Sequence, residues 1–186
     1  VYRMDVDSLV PKPYITADYA SHNGMNGDNI NDIYVDGGDR IWLANYPAGV
    51  TIRNNRYQSY EWFRHSPGNS RSLVNDQVHD VIEDSEGDLW FATSNGISLL
   101  QPAVGRWRSF LSRSDGIQDG GNHIFLTLCE VSPGVICAGG YASGLYRIEK
   151  KTGRVEYFPP SFAAEGRPDQ YINCLLYTSP SPRDTR

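Results

Sequence analysis

The stretch VIEDSEGDLWFAT, Val81 to Thr93, has a looser copy earlier in the chain, IYVDGGDRIWLAN, Ile33 to Asn45. A shift of 48 residues pairs Asp32 with Asp80, Asp36 with Asp84, Trp42 with Trp90 and Ala44 with Ala92. The apolar positions follow: Ile30 with Val78, Ile33 with Val81, Ile41 with Leu89, and Leu43 with Phe91. A third, weaker copy runs from Ile124 to Ile148, where Ile136-Cys137-Ala138 takes the place of Leu89-Trp90-Phe91. A fourth begins near Ile172, so the starts at 30, 78, 124 and 172 lie 48, 46 and 48 residues apart. Periods of this size belong to propeller blades or to helical arrays.

Local chemistry decides between them. Val78–Glu83 is a first β-rich run, and Asp84-Ser85-Glu86-Gly87 is a turn with Gly where positive φ costs little. Leu89–Thr93 is the second run, Asn95-Gly96 a hairpin signal, Ile97–Leu100 the third run and Trp107–Phe110 the fourth, after Gly105. In the third copy Ser132-Pro133-Gly134, Gly144 and Thr152-Gly153 mark the corresponding turns. Four short strands per repeat make one antiparallel blade. The expected fold is therefore all-β: an incomplete β-propeller arc of four-stranded antiparallel blades, about three and a half of them at ~48 residues each. Residues 1–24 are expected to end a preceding blade or to connect to one. Residues 25–70, 71–120 and 121–168 form three blades, and 169–173 start a fourth. A single blade cannot bury its own faces, so neighbours must stack. Trp42 and Trp90 are read as inter-blade packing residues, and the Asp36 and Asp84 carboxylates as caps of their own turns. Gly87, Gly96, Cys137 and Gly144 complete the repeat positions.

The 186 residues suit one domain or a piece of something larger, and 39% apolar with 12% aromatic content supports a real core. A net charge of −5 argues against nucleic acid and anionic lipid as partners of this segment. No run approaches the roughly 20 apolar residues of a membrane helix. The chain opens on Val without a basic start and an apolar run, so the natural N-terminus is expected upstream, leaving a removed signal peptide open. Cys129, Cys137 and Cys174 show no zinc spacing. Cys129 and Cys137 flank a tight turn and could come close, but buried thiols are expected.

Val78 to Thr93, followed by Asn95-Gly96-Ile97, resembles the two-component regulator propeller repeats, whose pattern reads roughly V-x-x-I-x-E-D-x-x-G-x-L-W-x-x-T. The connector from Ser66 to Asp76 looks like that family's lead-in. The first copy departs at Gly38-Asp39, and the third loses the Trp to Cys137 and lacks the Glu-Asp pair. The resemblance covers roughly residues 25 to 173. It implies a fragment of the periplasmic sensor region of a hybrid two-component receptor, anchored in the inner membrane. That receptor would sense an oligosaccharide or other small molecule, pair as a homodimer, and relay to a cytoplasmic histidine kinase outside this chain. No catalytic residue and no cofactor is assigned to this segment. The alternatives are a carbohydrate-active propeller lyase, hydrolase or lactonase, and a protein-binding propeller scaffold.

The stretch CLLYTSPSPRDTR, Cys174 to Arg186, interrupts the fourth copy and shifts abruptly to Ser, Pro and Arg. CLLYTSPSPRD resembles the translation of a transposase-type sequencing-library adapter and is left out of fold reasoning, with a Pro-rich linker as the alternative. On the adapter reading, the natural chain continues past Asn173. Propellers close with ~4–8 blades. Two open blade faces are thus expected to expose apolar surface, and the chain to fold poorly alone.

Strands alternate in direction, so the second turn of each blade shares a rim with the inter-blade connectors. Loops on such a rim commonly carry function. Asn45, Tyr46, Asn95 and Tyr141 are the candidates: aromatic faces stack on sugar C–H surfaces and amides bond hydroxyls. Arg64 and His65, in a connector, would suit an acidic sugar. Asp84, Glu86 and Asp88 alternate as Ca²⁺ ligands can, but the full series is missing, so a solvated acidic turn is expected. His22, His65, His79 and His123 show no metal spacing, and no GxSxG accompanies the serines.

Overall fold

The computed structural model describes residues 1–4, 7–18, 23–112 and 122–159. Every described element is a strand. A ribbon of β1 (Tyr2–Met4) and β2 (Pro11–Pro13) comes first. The first blade follows with β3 (Ile30–Val35), β4 (Arg40–Asn45), β5 (Gly49–Asn54) and β6 (Ser59–Phe63). The second holds β7 (Val78–Glu83), β8 (Leu89–Thr93), β9 (Gly96–Gln101) and β10 (Arg106–Phe110). The third holds β11 (Phe125–Ser132), β12 (Val135–Gly140), β13 (Gly144–Glu149) and β14 (Val155–Phe158). All pairings are antiparallel and follow chain order. The blades are separate four-stranded sheets in an open arc, as the repeat predicts. β3, β7 and β11 run beside one another and so line the axis. The fourth copy at Ile172, Cys174 and the stretch to Arg186 lie outside the described residues, as do His22 and most of the connector from Leu111 to Gly121.

The repeated Asp does more than cap. Asp36 Oδ1 accepts from the amides of Gly38 and Arg40, and Asp84 Oδ1 from those of Glu86 and Asp88. The other oxygen of each accepts from an indole: Trp42 Nε1 and Trp90 Nε1 both donate at 2.8 Å. One carboxylate therefore closes the turn and satisfies the one polar atom of a fully buried Trp. Burial pushes the Asp84 carboxyl up, but Lys150, the Trp90 N–H and the Asp88 amide together hold it below its ordinary value. The turn after the second strand is offset by one residue from the Asn95-Gly96 signal. The register pairs Thr93 with Gly96, so the loop is Ser94-Asn95 and Gly96 opens β9. Gly96 has φ +101°, and a Cβ there would lie 2.8 Å from the Phe110 carbonyl oxygen. Gly49, φ +82°, holds the same place in the first blade.

Each central strand serves two junctions. Trp90 and Ala92 of β8 face the third blade, in a cluster with Phe125, Ile136 and Tyr146. Leu89 and Phe91 face the first, with Trp42, Val50 and Ile52. This is why β8 is buried along its whole length and reads as a continuous apolar run. Trp42 and Trp90 are inter-blade packing residues, as expected. The opposite face of the first blade is covered as well: Ile41 and Leu43 pack against Ile15 and Met25, which follow the N-terminal ribbon. That end is therefore less exposed than an open arc predicts.

Polar joints accompany the apolar ones. Asp32 accepts from the Val81 amide at 3.0 Å, and Asp80 from the Leu128 amide at 2.6 Å. Tyr34 donates its hydroxyl to Glu83, and Ser85 donates through its amide and hydroxyl to Glu130. The acidic turn is solvated only in part: Glu86 is exposed, whereas Asp84 and Asp88 are buried, which corrects the sequence expectation for those two. Lys150 Nζ of the third blade sits 2.6, 2.7 and 2.8 Å from the carboxylates of Asp84, Glu86 and Asp88. The ammonium takes the place that an acidic triad would offer to a cation. Its own pKa is raised, because the three carboxylates outweigh burial.

Candidate functional site at the axial cleft

Antiparallel pairing brings three kinds of segment to one rim: the β4–β5, β8–β9 and β12–β13 loops, the residues entering each inner strand, and that strand's first residues. At the second blade these frame a cleft of about 610 Å³. Its lining is Tyr46 from the first blade, Asn75, Gln77, His79, Ser94 and Asn95 from the second, and Ile124, Leu126 and Tyr141 from the third.

The three rim loops thus meet. Tyr46 leaves β4 and its amide donates to the Asn29 carbonyl. Tyr141 holds the matching place after β12 and donates its amide to the Ile124 carbonyl. Asn95 sits in the two-residue loop, where its amide donates to Thr93 Oγ1. His79 anchors the floor. Its Nε2 lies 2.8 Å from Ser94 Oγ and its ring 5.6 Å from that of Tyr46, centroid to centroid. Burial lowers the His79 pKa, so the imidazole is neutral near pH 7. The lining contains amides, hydroxyls and an imidazole beside apolar and aromatic surface, and among the described residues no carboxylate, ammonium or guanidinium.

The sequence candidates separate on this geometry. Tyr46, Asn95 and Tyr141 come together in the cleft. Asn45 does not line it: the side chain is fully buried, accepts from the Thr51 amide and donates to the Gly27 carbonyl. Its amide serves the fold. Arg64 and His65 stand apart on the connector. Arg64 pairs with Asp76 at 3.5 Å, and His65 Nδ1 lies 2.8 Å from the Leu73 carbonyl oxygen. His65 lines a second groove with Asn69, Asn95 and Trp107. Sequence reasoning missed Asn75, Gln77 and His79. The signal was available: in an antiparallel blade the start of the first strand lies at the same end as the loop between the second and third.

Deeper along the axis, the aligned Asp32 and Asp80 carboxylates stand in one row, with Thr127 bonded to Asp80. Burial, then the neighbouring Asp32, push the Asp80 carboxyl up to about 6, against the opposing pull of its Leu128 bond.

Residues 72–95 match the family described as two component regulator propeller. The match spans the lead-in and the first two strands of the second blade. Among solved structures it is similar to one described as the extracellular domain of hybrid two component system BT3049 from B. thetaiotaomicron. The TM-score is 0.68 at 22% identity, over 80% of this chain and 20% of that one. The corresponding domain of BT4673 from the same organism gives 0.58 at 21%, over 76% of this chain and 18% of that one. A third similarity, to an ancestral GH74 enzyme, gives 0.52 at 13% over 72% and 19%. The chain spans about a fifth of each of these proteins, and the likenesses establish a shared propeller fold. No curated protein matches the sequence.

Proposed function

We propose that this chain is part of the extracytoplasmic ligand-sensing propeller of a hybrid two-component receptor, and that the axial cleft contacts an oligosaccharide with uncharged rings. The carrying observation is the cleft lining: Tyr46 and Tyr141 from flanking blades, with Asn75, Gln77 and Asn95 amides and a neutral imidazole between them. Aromatic faces and amides without formal charge suit C–H stacking and hydroxyl bonding. The repeat match and the two sensor-domain similarities support the receptor assignment. Because the lining comes from three blades, a ligand bridging them favours one inter-blade arrangement over another. Such a difference in affinity is what signalling to a histidine kinase beyond this chain requires.

Calorimetry of the chain against neutral and uronate-containing oligosaccharides tests the reading. A neutral oligosaccharide is expected to bind, with Tyr141→Ala weakening it about tenfold and Arg64→Ala leaving it unchanged. Binding confined to uronates, or indifferent to Tyr141→Ala and Gln77→Ala, would sink the assignment of the cleft.

A further inference from the structure

One cross-strand pair changes character from blade to blade. It joins the first strand to the second on the face that each blade turns toward its successor. In the first blade Tyr34 stands opposite Trp42, and in the second Ile82 stands opposite Trp90. In the third, both members are replaced together, and Cys129 stands opposite Cys137. We propose that Cys129 and Cys137 form a reversible intrachain disulfide, which makes the outward face of the third blade a redox-modifiable site.

The geometry permits the bond. Direct partners across an antiparallel ladder have Cα atoms about 4.5 to 5.5 Å apart. That lies inside the roughly 4.4 to 6.8 Å span that disulfides tolerate. Both residues are thiols in this structure and both are half-buried. The apolar clusters that bury the equivalent pairs in the first two blades have no counterpart over these cysteines among the described residues. Each thiol keeps partial contact with solvent. Arg147 stands opposite Cys137 on its other side and favours the thiolate. Burial and the second sulfur outweigh it, so the Cys137 thiol is pushed up and exchange should quicken as pH rises.

The step is thiol–disulfide exchange with a small disulfide such as oxidised glutathione. One cysteine thiolate attacks the donor's S–S bond, forms a mixed disulfide and releases one donor thiol. The second cysteine attacks the protein-side sulfur of that mixed disulfide and releases the other donor thiol. The cysteine pair loses two electrons and two protons, and the donor gains both. The loop closed by the bond is short, which is a trait of labile rather than structural disulfides.

The test treats the chain with oxidised glutathione at pH 8, quenches in acid, alkylates, and cleaves after Glu130 to separate the two cysteines. The expected product is a linked pair of peptides carrying Cys129 and Cys137, and Cys137→Ser should instead retain a glutathione adduct on Cys129. Native chain should close the bond at least about tenfold faster than the same chain in guanidinium, because the ladder holds the sulfurs together. Equal rates in the two solvents would overturn the proposal. So would persistent adducts on both cysteines, or a link that runs through Cys174.

Discussion

The second and third blades share a topology but present different rows to their successors. Across the second blade the row reads Ile82, Trp90, Leu99, Arg108. Across the third, the same places hold Cys129, Cys137, Arg147 and Glu156. The first row is mostly buried under the third blade, with Trp90 and Leu99 fully enclosed. The second row carries an ion pair, Arg147 to Glu156 at 3.0 Å, on half-exposed side chains. An apolar row is a demand for a neighbour. A row with a thiol pair and an ion pair meets water at far lower cost. The general expectation that an open arc exposes apolar faces is met only in part among the described residues of this face, where Leu145 and a half-exposed Phe158 stand at the places of Ile97 and Phe110.

Truncation should separate the rows most sharply. Trp90→Ala removes the largest side chain of the junction and one of the two donors to Asp84 Oδ2, and should cost about 3 to 5 kcal/mol in urea melts. Cys137→Ala, at the equivalent place, should cost less than about 1 kcal/mol. Similar costs would erase the distinction. Next in size is Lys150→Met, which leaves the buried Asp84 carboxylate without its cation and should cost about 3 kcal/mol. Because the folded Asp84 pKa is lowered, its pairing stabilises the fold above the unfolded carboxylate pKa. That contribution disappears as pH falls through the lowered folded value. The variant should accordingly lose less stability on acidification than the parent, and Asp84→Asn added to it should recover part of the cost.

Asp80→Asn tests the axial row and should stabilise the fold by about 1 to 2 kcal/mol at pH 7. The folded Asp80 keeps a proton that the unfolded chain releases, so the parent loses stability as pH rises from near 4 to about 6. Parallel pH–stability curves for parent and variant would refute this. The smallest thermodynamic effect is expected from Cys137→Trp with Arg147→Leu, which restores an apolar row where nothing described covers it. Stability should shift within about 0.5 kcal/mol, while sedimentation should show new self-association.

The blade was legible because its turns are chemically explicit. The expected runs Val78–Glu83 and Leu89–Thr93 coincide with β7 and β8, bounded by Asp84, Gly87 and the loop at Ser94. The Asp-to-Trp spacing was equally visible, yet its bond was not read, because a capping role already accounted for the carboxylate. Lys150 was invisible as a partner of Asp84, since 66 residues separate them and only blade stacking brings them together. In the cleft, Tyr46, Asn95 and Tyr141 followed from loop position, while His79 hid within a strand pattern. Asn45 failed as a candidate because its side chain points into a turn rather than off it, which sequence alone does not encode. The half-buried cysteines differ from the expected buried thiols because burial at Cys137 depends on a neighbour, not on the strand itself.

The carboxylates of Asp32 and Asp80 each reach forward to a backbone amide of the following blade. A blade thus carries an acceptor for its successor and offers an amide, which any sequence possesses, to its predecessor. Tandem duplication of such a unit brings its own connector, so arrays of this kind can lengthen by copying without inventing a new fit. Thr127, in the third blade's equivalent position, holds Asp80 with a hydroxyl and breaks that inheritance. The arc is therefore directional, and the forward carboxylate that its first two blades share is a hydroxyl in the third.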